Sequence, residues 1–164
     1  MKKTNLSSVL LIAVSLFVAC KKKNSTSETA SPSTPAAPAH VNSYTAVVNG
    51  QAWTMPPSAY STFHFGNTYS FQGQTSFNNP FTTMGLSVTF TTGTVALTKY
   101  GPFSASYGNQ STNYKSLAGS LNISSMDTAG GYITKLKGTF NFQTDTVNGQ
   151  SYSITSGNID YIKP

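Results

Sequence analysis

The chain has a single cysteine, a single glutamate and no arginine. With one thiol no internal disulfide can form, so any folded region must hold together by its core and its backbone hydrogen bonds. Without arginine there are no bidentate forks for reading base edges, and the lysines form no stripe along a folded segment. Nucleic acid is therefore excluded as a partner. Carboxylates are nearly as scarce. From His40 onward only Asp127, Asp145 and Asp160 face Lys99, Lys115, Lys135, Lys137 and Lys163, so this part carries a net charge of only +2. No hydrophobic run reaches the about 20 residues that span a bilayer as a helix.

The longest apolar run, Val9–Ala19, follows Lys2 and Lys3 and ends on Phe17-Val18-Ala19-Cys20. A charged start, a short apolar stretch and a small residue before the break make a secretory signal. The stretch resembles a bacterial lipobox, although Phe17 stands where leucine is usual. The resemblance implies that residues 1–19 are removed and that Cys20 becomes the lipidated N-terminus, palmitate included. Acyl chains contribute about 0.8 kcal/mol per buried CH₂, enough to anchor a chain that does not span. The expected location is the bacterial envelope, at the outer membrane, with the periplasmic and the surface-exposed face both open.

Residues 20–42 read as a tether. After Lys21-Lys22-Lys23 the sequence is Ser, Thr, Pro and Ala with no apolar period, a composition too poor in apolar surface to offset ordering entropy. The lysines beside Cys20 suit anionic headgroups or plain solvation equally.

Residues 43–164 read as an all-β domain, an antiparallel β-sandwich or barrel of about 8–10 short strands. Ser, Thr, Asn, Gly and aromatic residues dominate, and turn signals recur every 8–12 residues. Asn49-Gly50 predicts a type I′ hairpin that sets Val48 opposite Gln51 and Ala46 opposite Trp53. Gly66-Asn67 predicts a second hairpin and Asn148-Gly149 a third. Met84, Leu86, Val88 and Phe90 alternate on one face of a half-buried strand. Residues 108–118 read as a loop. Gly138 and Gly157 read as breaks between short strands.

The run Tyr44-Thr45-Ala46-Val47-Val48-Asn49-Gly50-Gln51-Ala52-Trp53, with Gly138-Thr139-Phe140-Asn141-Phe142 and the closing Ile154–Ile159 segment, resembles a family of small Bacteroidota lipoproteins with an all-β domain. The resemblance covers most of residues 43–162. It implies location and fold, and it brings no catalytic motif and no cofactor.

Chemistry-bearing groups are few. There is no Gly-x-Ser-x-Gly elbow and no Ser-x-x-Lys. His64 is expected to point away from Phe63 and Phe65, out of the core. Asp127 and Asp145 read as turn residues, and Asp160 as solvent-facing beside Lys163, so no carboxylate pair for glycoside cleavage is expected. No metal cluster is expected either, since a site needs three or four convergent ligands. The remaining enrichment is aromatic. Tyr60, Tyr69, Tyr107 and Tyr114 are expected as outward rings, and Trp53 as a core residue that is also a candidate contact for a ligand. The composite expectation is a membrane-anchored, non-enzymatic binding module whose partner is a glycan or an envelope protein. An envelope assembly accessory without a small ligand is the alternative, and a glycan-active enzyme a distant third.

Overall fold

The computed structural model describes residues 39–164 apart from Phe77 and Asn79. The signal segment, Cys20 and the tether as far as residue 38 lie outside the described residues. Ten antiparallel strands follow one another: β1 (Ser43–Val48), β2 (Gln51–Thr54), β3 (Tyr60–Phe65), β4 (Thr68–Gln74), β5 (Thr82–Val88), β6 (Gly93–Leu97), β7 (Ser104–Asn109), β8 (Thr112–Ala129), β9 (Tyr132–Thr144) and β10 (Ser153–Ile162). They hydrogen-bond in the order β2-β1-β10-β9-β8-β7-β5-β4-β3, with β6 added to β8. The described residues are all-β, as the turn spacing predicts.

The sheet curls into a half-barrel because β8 belongs to two neighbourhoods. Its first residues, Thr112–Lys115, pair with β7. Its middle, Gly119–Ile123, pairs with β6, while β9 follows it from Ser116 to Ala129. The register slips between Ser116 and Ala118, where the strand bends. Ser116 pins the bend from inside: its hydroxyl accepts from the Ala105 amide at 2.9 Å and donates to the Thr98 carbonyl at 2.7 Å. Both hydrogen-bonding roles of a fully buried hydroxyl are thereby met.

The hairpin expectations hold at β1–β2. Asn49 and Gly50 adopt φ of 47° and 83°, the left-handed values a type I′ turn demands. Val48 faces Gln51 and Ala46 faces Trp53. Gly66-Asn67 likewise turns β3 into β4, and Asn148-Gly149 turns between Val147 and Gln150 on the way from β9 to β10. Three other expectations need correction. Residues 108–118 are a hairpin rather than a loop, turning at Gln110-Ser111 between β7 and β8. Gly138 and Gly157 do not end strands but lie within β9 and β10. At Gly138 an added Cβ would sit 2.7 Å from the Asn122 carbonyl, and at Gly157 it would sit 2.4 Å from the Phe140 ring. These positions are glycine because backbone or ring passes too close for a side chain, so the expected short runs fuse into long strands.

The core lies between the two halves of the curl. Tyr44, Phe71, Met84, Leu86, Leu121, Ile123, Leu136, Phe142, Ile154 and Ile159 are buried there with little or no exposure. Tyr44 sits edge-on to both Trp53 and Phe140, at centroid distances of 5.6 and 5.5 Å. Across the curl, the Trp53 indole N–H donates to Thr82 Oγ1 at 2.7 Å, tying β2 to β5.

Candidate functional site

The rings expected to face outward do not. Tyr69, Tyr107 and Tyr114 are buried, and Tyr60 is half-buried against the core. Tyr60 stacks on Tyr161 at 5.3 Å. Tyr107 and Tyr114 clasp Tyr152 at 4.7 and 4.8 Å, and the Tyr114 hydroxyl donates to Gln150 Oε1 at 3.3 Å. The Tyr69 hydroxyl donates to the Gly131 carbonyl at 3.1 Å. Burial pushes all four phenols up, so they stay neutral; Tyr69 and Tyr114 donate, whereas the buried Tyr60 hydroxyl has no partner among the described residues. These tyrosines fill the space that leucine and isoleucine fill elsewhere. Trp53 is likewise a core residue.

His64 is exposed, as expected, but β3 presents it on the same sheet face as the core rings of β4. A two-residue turn at Gly66-Asn67 sets His64 opposite Tyr69 and Thr62 opposite Phe71. Directly opposed residues share a face, so His64 stacks on Tyr69 at 4.3 Å while Phe63 and Phe65 stand on the outside. Packing of Tyr69 and Phe71 on β4 outweighs the preference of the two phenylalanines on an edge strand.

The three carboxylates are spoken for. Asp145 meets Lys99 Nζ at 3.0 Å and accepts the Lys115 amide at 2.8 Å. Its bond to Lys99 holds the carboxyl below the usual aspartate range, and the same bond raises Lys99. Asp160 meets Lys137 at 2.7 Å, rather than Lys163, with His40 Nε2 at 3.5 Å. Asp127 belongs to β8, not to a turn, and lies 3.9 Å from Lys135. Each carboxylate therefore has its own lysine. Among the described residues no group of three His, Cys, Asp or Glu side chains converges on a metal position.

What the fold does assemble is a polar trough on the outer face of β4, β5, β7 and the start of β8. Strand pairing aligns its floor in rows. Ser70, Ser87 and Ser104 form one row, and Gln72, Gly85, Ser106 and Lys115 the next. The Ser70 and Ser87 hydroxyls lie 3.0 Å apart. Asn113 and Lys99 complete the lining. Four strands at about 4.8 Å spacing give a floor of roughly 14 Å. Gly85 keeps that floor low, since a Cβ there would meet the Ser106 hydroxyl at 2.8 Å.

The rims are aromatic and cationic. At one end Tyr100 projects 70% exposed, with Lys115 Nζ 4.9 Å and Lys99 Nζ 5.7 Å from its ring centre. At the other, Phe63 stands beside Ser70. Among the described residues Asp145 forms its ion pair with Lys99, and the Lys115 ammonium, which also acts on Asp145 from farther off, makes no ion pair of its own. Sequence reasoning passes over Tyr100. Its signal is the Lys-Tyr-Gly-Pro run at residues 99–102, where a large ring sits in a turn that cannot bury it.

No family model, curated protein or solved structure matches the chain.

Proposed function

We propose that this protein is a lipid-anchored, non-enzymatic binding module of the bacterial envelope, and that the trough holds a polyhydroxylated chain, a glycan. The observation that carries the reading is the trough itself. Its floor is hydroxyl and amide groups with no carboxylate, and its rims are exposed rings. Sugars are recognised by hydrogen bonds in the plane of the ring and by stacking of their apolar faces on aromatic side chains. Lys115 favours a glycan that carries acid groups. Anchorage rests on the lipobox-like segment ending at Cys20, and the kinship with Bacteroidota lipoproteins on the hairpin and closing-strand motifs.

Two experiments test it. Labelling with radioactive palmitate should mark the wild type and not Cys20→Ser, and labelling of both would contradict the anchor. Titration calorimetry with oligogalacturonate and with dextran tests the module. Tyr100→Ala should weaken binding about tenfold, the scale of a central aromatic anchor. Lys115→Ala should remove the preference for the acidic sugar. Absence of heat with either sugar at millimolar protein would count against the glycan.

The alternative, an assembly accessory, draws on the exposed Phe63 and Phe65 of edge strand β3, which lacks the lysines and prolines that usually blunt such edges. Crosslinking in intact cells to an envelope complex would favour it.

A further inference from the structure

The described residues expose eight large apolar side chains: Val41, Phe63, Phe65, Phe90, Tyr100, Leu117, Tyr132 and Ile162. Tyr100 and Phe63 flank the trough and Leu117 lies well back along β8; the other five lie at one end of the curl, where contacts join the turns and termini that carry them. Asn42, next to Val41, accepts the Ile162 amide at 2.7 Å. Lys163 places its ammonium 4.7 Å from the centre of the Tyr132 ring. Tyr132 lies 5.2 Å from His64, which sits between Phe63 and Phe65 in the chain. Tyr69, beneath His64, meets Phe90 edge-on at 5.7 Å. Three turns that are distant in sequence thus join the two termini of the domain in one patch.

It is also the end at which the chain enters the domain, through Ala39–Asn42, the residues that follow the tether in sequence. We propose that this end is a membrane seat: Phe65, Phe90, Tyr132, Val41 and Ile162 rest in the headgroup layer of the bilayer to which Cys20 is attached, with Lys163 against anionic headgroups. The inference rests on the anchored reading above.

Three observations select a membrane over a protein partner. The 18 residues from 21 to 38, even fully extended at 3.3–3.6 Å each, hold this end within about 65 Å of the lipid. Tethering at that range gives an effective concentration near millimolar, so a weak surface affinity suffices. The composition is that of an interface, where rings with a polar edge and a lysine sit at headgroup level. The charge also agrees. Asp127 and Asp160 are each matched by a lysine, and among the described residues Lys163 makes no ion pair, so its ammonium stays available at this end. Exposed rings gathered at one end mark a contact surface rather than scattered exposure. The seat leaves the trough on the outer sheet face open.

The test uses chemical coupling, so that it does not depend on acylation in the cell. The chain from Cys20 to Pro164 is attached through its only thiol to maleimide-bearing vesicles of phosphatidylcholine and phosphatidylglycerol. The vesicles are made with or without brominated acyl chains, which quench nearby indoles. Reporter tryptophans are placed by Phe65→Trp at the seat and by Leu117→Trp, about 40 Å back along β8 from its seat end at 3.3 Å per residue. Native Trp53 remains in both as a constant background and a check of folding. The expected result is at least about twofold quenching at the Phe65→Trp reporter, as for a ring at headgroup level, little at Leu117→Trp, and loss of the difference when Phe90 and Tyr132 are both changed to Ser. Equal quenching at the two reporters, or none at either, overturns the seat. Palmitate labelling separately decides whether Cys20 is acylated in the cell, so the two failures are distinguishable.

Discussion

Gly157→Ala adds one methyl group to the interior of β10. The added carbon would lie 2.4–2.5 Å from three carbons of the Phe140 ring, where ordinary contact begins at 3.4 Å. The ring must retreat by about 1 Å, and it has nowhere to go. It is 2% exposed, edge-on to Tyr44 at 5.5 Å and stacked with Phe142 at 6.3 Å. The alternative is for β10 to move, but β9 and β1 hold it on either side. Overpacking of a rigid core costs about 1–3 kcal/mol, and this site belongs at the upper end. A domain of this size has about 5–15 kcal/mol to lose. Unfolding in guanidinium, followed by Trp53 fluorescence, should show a lower midpoint at unchanged slope. The melting temperature should fall by roughly 10 °C. Phe140→Leu in the same chain should recover part of the loss, because the smaller side chain makes room. A Gly157→Ala protein within about 0.5 kcal/mol of wild type, the usual range for a surface change, would refute the claim that glycine is there for space.

Other consequences follow from the same packing. Trp53→Phe removes the bond to Thr82 and leaves a gap between β2 and β5. It should cost about 2–3 kcal/mol, read by thermal circular dichroism because the fluorophore is gone. A loss below about 0.5 kcal/mol would mean that Trp53 does not tie the halves together. Asp145→Asn breaks the pair with Lys99. Since the carboxyl is held low and the ammonium high, the wild type should be the more stable at neutral pH. The gap should close as pH falls through the folded pKa of Asp145 or rises through that of Lys99. A gap that does not change with pH would place the effect in the Lys115 amide bond instead.

Much of the fold is legible in the residues. Asn49-Gly50 announces its hairpin and register, and Met84, Leu86 and Val88 announce a half-buried strand. Two features mislead. Glycine within a strand looks like a break unless the partner strand is known, and at Gly138 and Gly157 the partner is what requires it. The outward rings fail for a related reason. Tyr107 and Tyr114 fall in a polar stretch that reads as a loop, yet they face each other across a hairpin whose other face is Ser106, Asn113 and Lys115. The phase of β3 was within reach of the sequence: with Tyr69 and Phe71 inside, a two-residue turn puts His64 and Thr62 on the same sheet face, where both remain exposed at the edge. The trough was not. Its floor is serine, glycine and glutamine from β4, β5 and β7 with Asn113 and Lys115 from β8, and only strand order brings Ser87 of β5 beside Ser104 of β7.

The most direct test of the account is a footprint of the trough. Amide resonances of the isotopically labelled chain are followed by NMR as oligogalacturonate is added. The amides of Ser70, Gly85, Ser106 and Lys115 should shift, and the shifts should be lost in Tyr100→Ala. Shifts confined to residues at the far rim of the seat, such as Phe90 and Tyr132, or no shifts at saturating sugar, would contradict the glycan reading.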